Sequence, residues 1–255
     1  MIVMDSGLGG LSVVRALKEA RPGIAVSYLA DTGGFPYGGR DAEWIRQRAD
    51  TVLEALTAQE APALVVAACN TLSTHALAHL RGRWPYGFVG TVPAIKVAAE
   101  QSKTRRFTLL ATPGTSGSDY TNGLIAEFAA HCTVDCYGAP NLAALAEAML
   151  LGETVAPGAL RQELLPAFQS DARGRTDMVI LGCTHYPLIL EALSEAAPWP
   201  VGWIDSSPAI ARHALSQMKA NAARNIAYVT RAQDVARYAP IFAREGFSDT
   251  VALAV

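Results

Sequence analysis

The sequence predicts an α/β protein of two similar domains, each a mainly parallel sheet flanked by helices, with a site in the cleft between them. Three observations carry this reading. Short runs rich in Val, Ile and Leu alternate with longer amphipathic stretches along the 255 residues. The runs are apolar at successive positions, as strands covered by helices on both faces must be. Two different strand-turn-helix units also recur about halfway along the chain.

Strands are expected near residues 1–4, 24–30, 63–68, 106–111, 132–136, 177–182 and 201–204. Helical periodicity lies between them, near 10–20, 41–59, 71–81, 93–101, 117–130, 141–151, 158–169, 186–196, 208–223 and 231–243. In the first repeated unit, I-V-M-D-S-G-L-G-G (residues 2–10) is echoed by F-T-L-L-A-T-P-G-T-S-G (residues 107–117). In the second, A-L-V-V-A-A-C-N-T (residues 63–71) is echoed by D-M-V-I-L-G-C-T-H (residues 177–185). Each unit is an apolar strand that ends in small or polar residues before a helix, so the reactive ends gather at the carboxyl edges of the sheets, where α/β proteins bind ligands. Residues 1–92 together with 206–255 are read as one domain, and residues 93–205 as the second.

Composition narrows the functional classes. With 51% apolar and 17% charged residues the chain can bury a large core, and disorder is excluded as its main state. A net charge of -2 and the lack of any run of like charge argue against nucleic acid or an anionic membrane as partner. The longest aliphatic run, around residues 63–69, is far shorter than the ~20 residues of a bilayer span. The start, M-I-V-M-D-S-G, reads as a strand rather than a secretion signal, and a cytoplasmic location is expected. In that reducing compartment Cys69, Cys132, Cys136 and Cys183 are expected to be thiols.

Cys69 and Cys183 stand at matched strand ends, each followed by a helix start rich in hydrogen-bonding side chains: Asn70 and Thr71, then Thr184 and His185. Unpaired N–H groups at a helix start stabilise a thiolate and are expected to lower these thiols from ~8.5 toward neutrality. The same N–H groups offer a seat for a substrate carboxylate. A single buried cysteine would be ordinary core filling, but two in matched polar turns are not. Asp5, in D-S-G-L-G-G, puts a carboxylate on the sheet edge of Cys69, though as an isolated residue it would serve equally as a helix cap. Among the histidines only His185, two residues past Cys183, is placed to exchange a proton with a thiol.

Other motifs have plainer readings. The glycine-rich turn with Asp31 suggests a dinucleotide site, but Gly7, Gly9 and Gly10 do not follow G-x-G-x-x-G, and Asp5 would repel a pyrophosphate. His75 and His79 share a helix face without a third ligand, so no metal is expected. Cys132 and Cys136 would be about 13 Å apart along a strand, too far for a disulfide, and read as core. P-Y-G-G-R (residues 36–40) allows close backbone approach to a ligand, with Tyr37 supplying a hydroxyl, or is a plain turn. In D-S-S-P (residues 205–208), Ser207 as cap and Pro208 as first helical residue suffice.

Taken together, D-S-G-L-G-G-L-S-V, A-D-T followed by F-P-Y-G-G-R, A-C-N-T, A-T-P-G-T and G-C-T-H-Y-P-L resemble, in order and spacing, the glutamate racemases of the cofactor-independent aspartate/glutamate racemase superfamily. The resemblance spans residues 2 to about 210. It implies a two-domain isomerase that interconverts L- and D-glutamate with no cofactor and supplies D-glutamate for peptidoglycan. By motif, Cys69 would take the α-proton of the D-isomer and Cys183 that of the L-isomer, with Asp5 and His185 assisting them. Asp5, Ser6, Tyr37, Gly38, Asn70, Thr71, Thr184 and His185 would hold the substrate. A further family acid would fall on Glu147, whose surroundings match poorly, and it stays outside the assigned set. Ser116 and Leu72 depart from the usual family residues and are expected near the pocket, where they would bear on substrate size and rate.

The chemistry of the residues agrees with the resemblance. Racemisation without an electron sink needs a base on each face of the α-carbon, one deprotonated and one protonated, and two matched thiols across a cleft supply that pair. Two alternatives stay open: aspartate racemisation within the same superfamily, and a non-enzymatic two-lobed protein that closes on an amino acid. A homodimer is expected on general grounds of symmetry.

Overall fold

A computed structural model describes residues 1–172, 174–218 and 223–255. The first part of the chain forms β1 (Ile2–Asp5), α1 (Leu11–Ala20), β2 (Ser27–Ala30), α2 (Ala42–Thr57), β3 (Leu64–Ala67), α3 (Asn70–Arg83), β4 (Gly87–Gly90) and α4 (Ile95–Gln101). The middle forms β5 (Arg106–Ala111), α5 (Pro113–Ser116), α6 (Asp119–Phe128), β6 (Thr133–Gly138), α7 (Leu142–Leu150), α8 (Ala159–Leu164), β7 (Ser170–Asp171) and β8 (Gly174–Arg175). The remainder forms β9 (Met178–Gly182), α9 (Leu190–Ala196), β10 (Gly202–Ile204), α10 (Ser207–Gln217), β11 (Ile226–Val229), α11 (Val235–Arg244) and β12 (Asp249–Ala252).

Two parallel sheets organise the molecule. The larger has six strands in the order β12-β11-β2-β1-β3-β4, and the smaller has four in the order β10-β9-β5-β6. The strands are apolar at successive positions because both faces are covered, and alternate residues enter different cores. Val3 and Val66 pack beneath α1, α10 and α11, whereas Ile2, Met4 and Val65 pack beneath α2 and α3. In the smaller sheet Leu110 and Leu181 face α7 and α9, while Leu109 and Ile180 face α4. The chain passes from the large sheet to the small between β4 and α4, and returns between β10 and α10.

The predicted α/β class is the observed one, and several boundaries differ. Sequence reading missed the two-residue strands β7 and β8, which pair antiparallel, and in the large sheet it missed β4, β11 and β12. Of these last three, β4 and β12 are sheet edges, and each of the three is four residues long. The pattern near 117–130 divides into α5 and α6 at Gly117, where Ser118 caps the second helix by accepting from Thr121 N–H. The stretch after Cys183 begins as a 3-10 turn, Tyr186–Ile189, before α9. In D-S-S-P the cap position falls on Ser206 rather than Ser207, which is already helical, and Asp205 Oδ1 in the residue before accepts from Ser207 N–H at 2.7 Å. The end of the helix expected over 208–223 includes residues 219–222, which lie outside the described residues. Cys136 is exposed, because β6 is the free edge of the small sheet, so it is not the core residue expected, whereas Cys132, half-buried, packs against the core beneath α4.

Candidate active site

Strand pairs β1/β3 and β5/β9 lie side by side in their respective sheets, and their carboxyl ends face each other across the cleft. Asp5 closes β1, Cys69 follows β3 by two residues, Thr112 follows β5 and Cys183 follows β9. Between them is a small cavity. Cys69, Asn70, Thr71, Ser6, Tyr37 and Gly38 line it from the large-sheet side, and Cys183, Thr184 and His185 line it from the other. Asp5 stands directly behind this wall, 1% exposed.

On the Cys69 side, the thiol sits at the cap position of α3. Helix-start N–H groups were expected to lower it, and the structure reverses that expectation. Burial pushes the Cys69 thiol well up, the Asp5 carboxylate adds to the rise, and the Leu72 N–H and Ser6 hydroxyl offset only part of it. A buried thiol next to a carboxylate is disfavoured as an anion, whatever the helix contributes. Burial likewise pushes the Asp5 carboxyl up, against the opposing pull of His185 and of hydrogen bonds from Gly7 N–H and Thr184. Gly7 N–H donates to Asp5 Oδ1 at 2.9 Å and Thr184 Oγ1 donates to Oδ2 at 2.8 Å.

On the Cys183 side, Sγ lies 3.7 Å from His185 Nδ1. His185 Nε2 donates to Glu147 Oε2 at 2.8 Å. That bond orients the ring and turns Nδ1 to the thiol. Burial alone would lower His185, but Cys183 and Glu147 outweigh it and hold the imidazole well above its ordinary value. Leu8 N–H also donates to Glu147 Oε2, at 2.9 Å, and Tyr238 Oη donates to Oε1 at 2.7 Å. The turn carrying Gly7 and Gly9 can come this close because it lacks side chains: a Cβ on Gly7 would lie 2.8 Å from Glu147 Oε1, and one on Gly9 would lie 2.7 Å from Thr184 Oγ1.

Glu147 and Thr112 are the residues that sequence reading left out. Glu147 sits in the apolar helix A-A-L-A-E-A-M-L, 3% exposed, and a lone acid on the buried face of such a helix was the available signal. Thr112 belongs to the A-T-P-G-T turn, and its hydroxyl lies 2.8 Å from that of Thr71 across the cleft. Tyr37 reaches the cavity, but its hydroxyl donates to Asp31 Oδ2 at 2.7 Å and is not free for a ligand. Asp31 in turn is paired with Arg48 at 2.6 Å, an ion pair in place of a ribose contact.

His75 Nε2 bonds Gly114 O at 2.8 Å and His79 Nε2 bonds Asp50 at 2.7 Å, so the two histidines fasten neighbouring segments to α3. No group of three His, Cys, Asp or Glu among the described residues could hold a metal ion. Leu72 is fully buried in the same core as Cys69 and Tyr37, beside the cavity, and Ser116 bonds back to Pro113 O; neither is a lining residue. No described helix is long and apolar enough to cross a membrane.

Residues 10–214 match the model of a family described as Asp/Glu/hydantoin racemase. The glutamate racemase of Agrobacterium fabrum is 45% identical over 215 residues, covering 84% of this chain and 79% of the relative. Among solved structures, Escherichia coli glutamate racemase, in complex with L-glutamate and the activator UDP-MurNAc-Ala, superposes with a TM-score of 0.91 at 37% identity, covering 100% of this chain and 98% of that one. Glutamate racemase isoform RacE1 of Bacillus anthracis gives 0.80 at 26% identity, covering 100% and 96%.

Proposed function

The chain belongs to the Asp/Glu/hydantoin racemase family and is an isomerase, and on that footing we propose that it interconverts L- and D-glutamate by a two-thiol mechanism. The observation that carries the reading is the shared cavity. Cys69 and Cys183 line it from opposite sheets, each with its own buried proton-handling partner: Asp5 beside Cys69, and His185 with Glu147 beside Cys183.

In this reading Cys183, its sulfur facing His185 Nδ1, removes the α-proton of L-glutamate, and Cys69 delivers a proton to the opposite face of the carbanion. The return from D-glutamate runs through the same groups in reverse order. A protonated Cys69, favoured by its burial, is the proton donor that the L-to-D direction requires. Ser6 on the cavity wall, with Asp5 directly behind it, would accept from the substrate ammonium. Asn70, Thr71, the backbone N–H groups of Thr184 and His185 and the backbone at Gly38 are the donors for its carboxylates, with Tyr37 packing alongside. Uncharged donors held in a closed site stabilise developing charge without the desolvation cost of a buried arginine.

We further infer a division into domains of residues 1–92 with 206–255, and 93–205, which is supported by the grouping of the strands into two sheets. A homodimer, a cytoplasmic location and supply of D-glutamate for peptidoglycan complete the reading. The test is circular dichroism of L-glutamate and, separately, L-aspartate with purified protein and no added cofactor. Ellipticity of the glutamate sample should decay to zero much faster than that of aspartate. A faster decay with aspartate would reassign the substrate.

A further inference from the structure

Tyr238 lies on α11, which packs on the large sheet, whereas Glu147 lies on α7, which packs on the small one. Their 2.7 Å hydrogen bond therefore crosses the cleft, and Tyr238 is 4% exposed where it does so. Glu147 Oε2 is shared by His185 and Leu8 N–H, so Oε1 is the oxygen that fixes how the carboxylate is turned. A polar pocket of about 170 Å³ adjoins the same carboxylate, lined by Glu147 and Tyr238 together with Arg231 and with Arg237, which is paired with Glu153. Without the phenol, water from that pocket would compete for Oε1 and draw the carboxylate away from His185. The phenol suits the task, since burial and the charge of Glu147 push its ionisation up and keep it a donor.

We propose that Tyr238 is a positioning residue for proton abstraction by Cys183: its hydroxyl locks Glu147 on His185, so that the imidazole Nδ1 stays on the thiol. The proposal rests on the two-thiol reading above. It assigns Tyr238 no part in chemistry at Cys69, whose partner is Asp5.

The two thiols can be assayed separately with the enantiomers of β-chloroglutamate. Removal of the α-proton by one base breaks the Cα–H bond, forms Cα=Cβ and expels chloride from Cβ, so no second base is needed. Cys69→Ser and Cys183→Ser identify which enantiomer depends on which thiol. Tyr238→Phe keeps the ring and its packing on Phe242, 6.0 Å between centroids, and deletes only the donor. It should slow elimination from the Cys183-dependent enantiomer about tenfold in kcat with KM nearly unchanged, the scale of one lost hydrogen bond to a charged group. Elimination from the other enantiomer should stay at the wild-type rate, which also reports that the variant is folded. Equal slowing of both enantiomers, or of neither, overturns the proposal while leaving the two thiols in place. Survival of both eliminations in both cysteine variants overturns the two-thiol reading, and the role of Tyr238 with it.

Discussion

Thr184 donates to Asp5 across the cleft, hydroxyl to carboxylate at 2.8 Å, although the two residues are 179 positions apart in sequence. The bond ties the Cys183 turn of the small sheet to the Cys69 side of the large one. It also supplies one of the few donors to a carboxylate that is almost wholly removed from water. Unmade, it leaves a buried acceptor short of a partner.

Thr184→Val should therefore lower unfolding stability by about 1–3 kcal/mol and reduce racemisation by about tenfold, whereas Thr184→Ser, which keeps the hydroxyl, should lose much less of either. Urea unfolding paired with steady-state rates measures both. Equal behaviour of the Val and Ser variants would show that the bond is not what matters there.

Asp5 makes stability depend on pH with a definite sign. Its native carboxyl is raised, by burial above all, so the native state holds a proton that the unfolded chain has already released, and stability falls as pH climbs from the ordinary carboxylate range through the raised native value. Asp5→Asn removes this penalty. The variant should lose racemisation yet unfold at higher urea than wild type at neutral pH, and the advantage should shrink as pH falls toward the ordinary carboxylate range. Urea titrations at a series of pH values test this. A variant less stable than wild type at neutral pH, with the gap closing in the other direction, would contradict it.

Arg48 serves Asp31 in the turn that holds Tyr37. Nε donates to Asp31 Oδ2 at 2.8 Å and one terminal nitrogen donates to Oδ1 at 2.6 Å, while Tyr37 and Thr230 hydroxyls supply further donors. Arg48→Met strands a fully buried carboxylate and should cost about 3–5 kcal/mol in chemical unfolding. The double variant Arg48→Met/Asp31→Asn should recover part of that loss. No recovery would mean that the cost comes from packing of the arginine stem.

Much of this arrangement was legible in the sequence because β1, β3, β5 and β9 are buried on both faces and end abruptly in polar turns. That pattern is local, and it located Cys69, Cys183, Asp5 and His185 before their neighbours were known. What stayed illegible depends on distant parts of the chain. The strands β4 and β12 are short edges whose pairing, not their composition, makes them strands. Glu147 becomes part of the site only through His185, Leu8 and Tyr238, at separations of 38, 139 and 91 residues. The rise of the Cys69 thiol was missed for the same reason. The helix start can be read from sequence, whereas the depth of burial and the nearby Asp5 charge cannot.

The most direct test of the central claim is deuterium incorporation at the α-carbon of glutamate in D₂O, followed by NMR or mass spectrometry beside chiral analysis, for wild type, Cys69→Ser and Cys183→Ser. The wild type should racemise L-glutamate while placing solvent deuterium on the D-product, and each serine variant should fail to racemise either isomer. A serine variant that turns over at the wild-type rate, or D-product formed without solvent deuterium on the α-carbon from the first turnovers onward, would contradict the account.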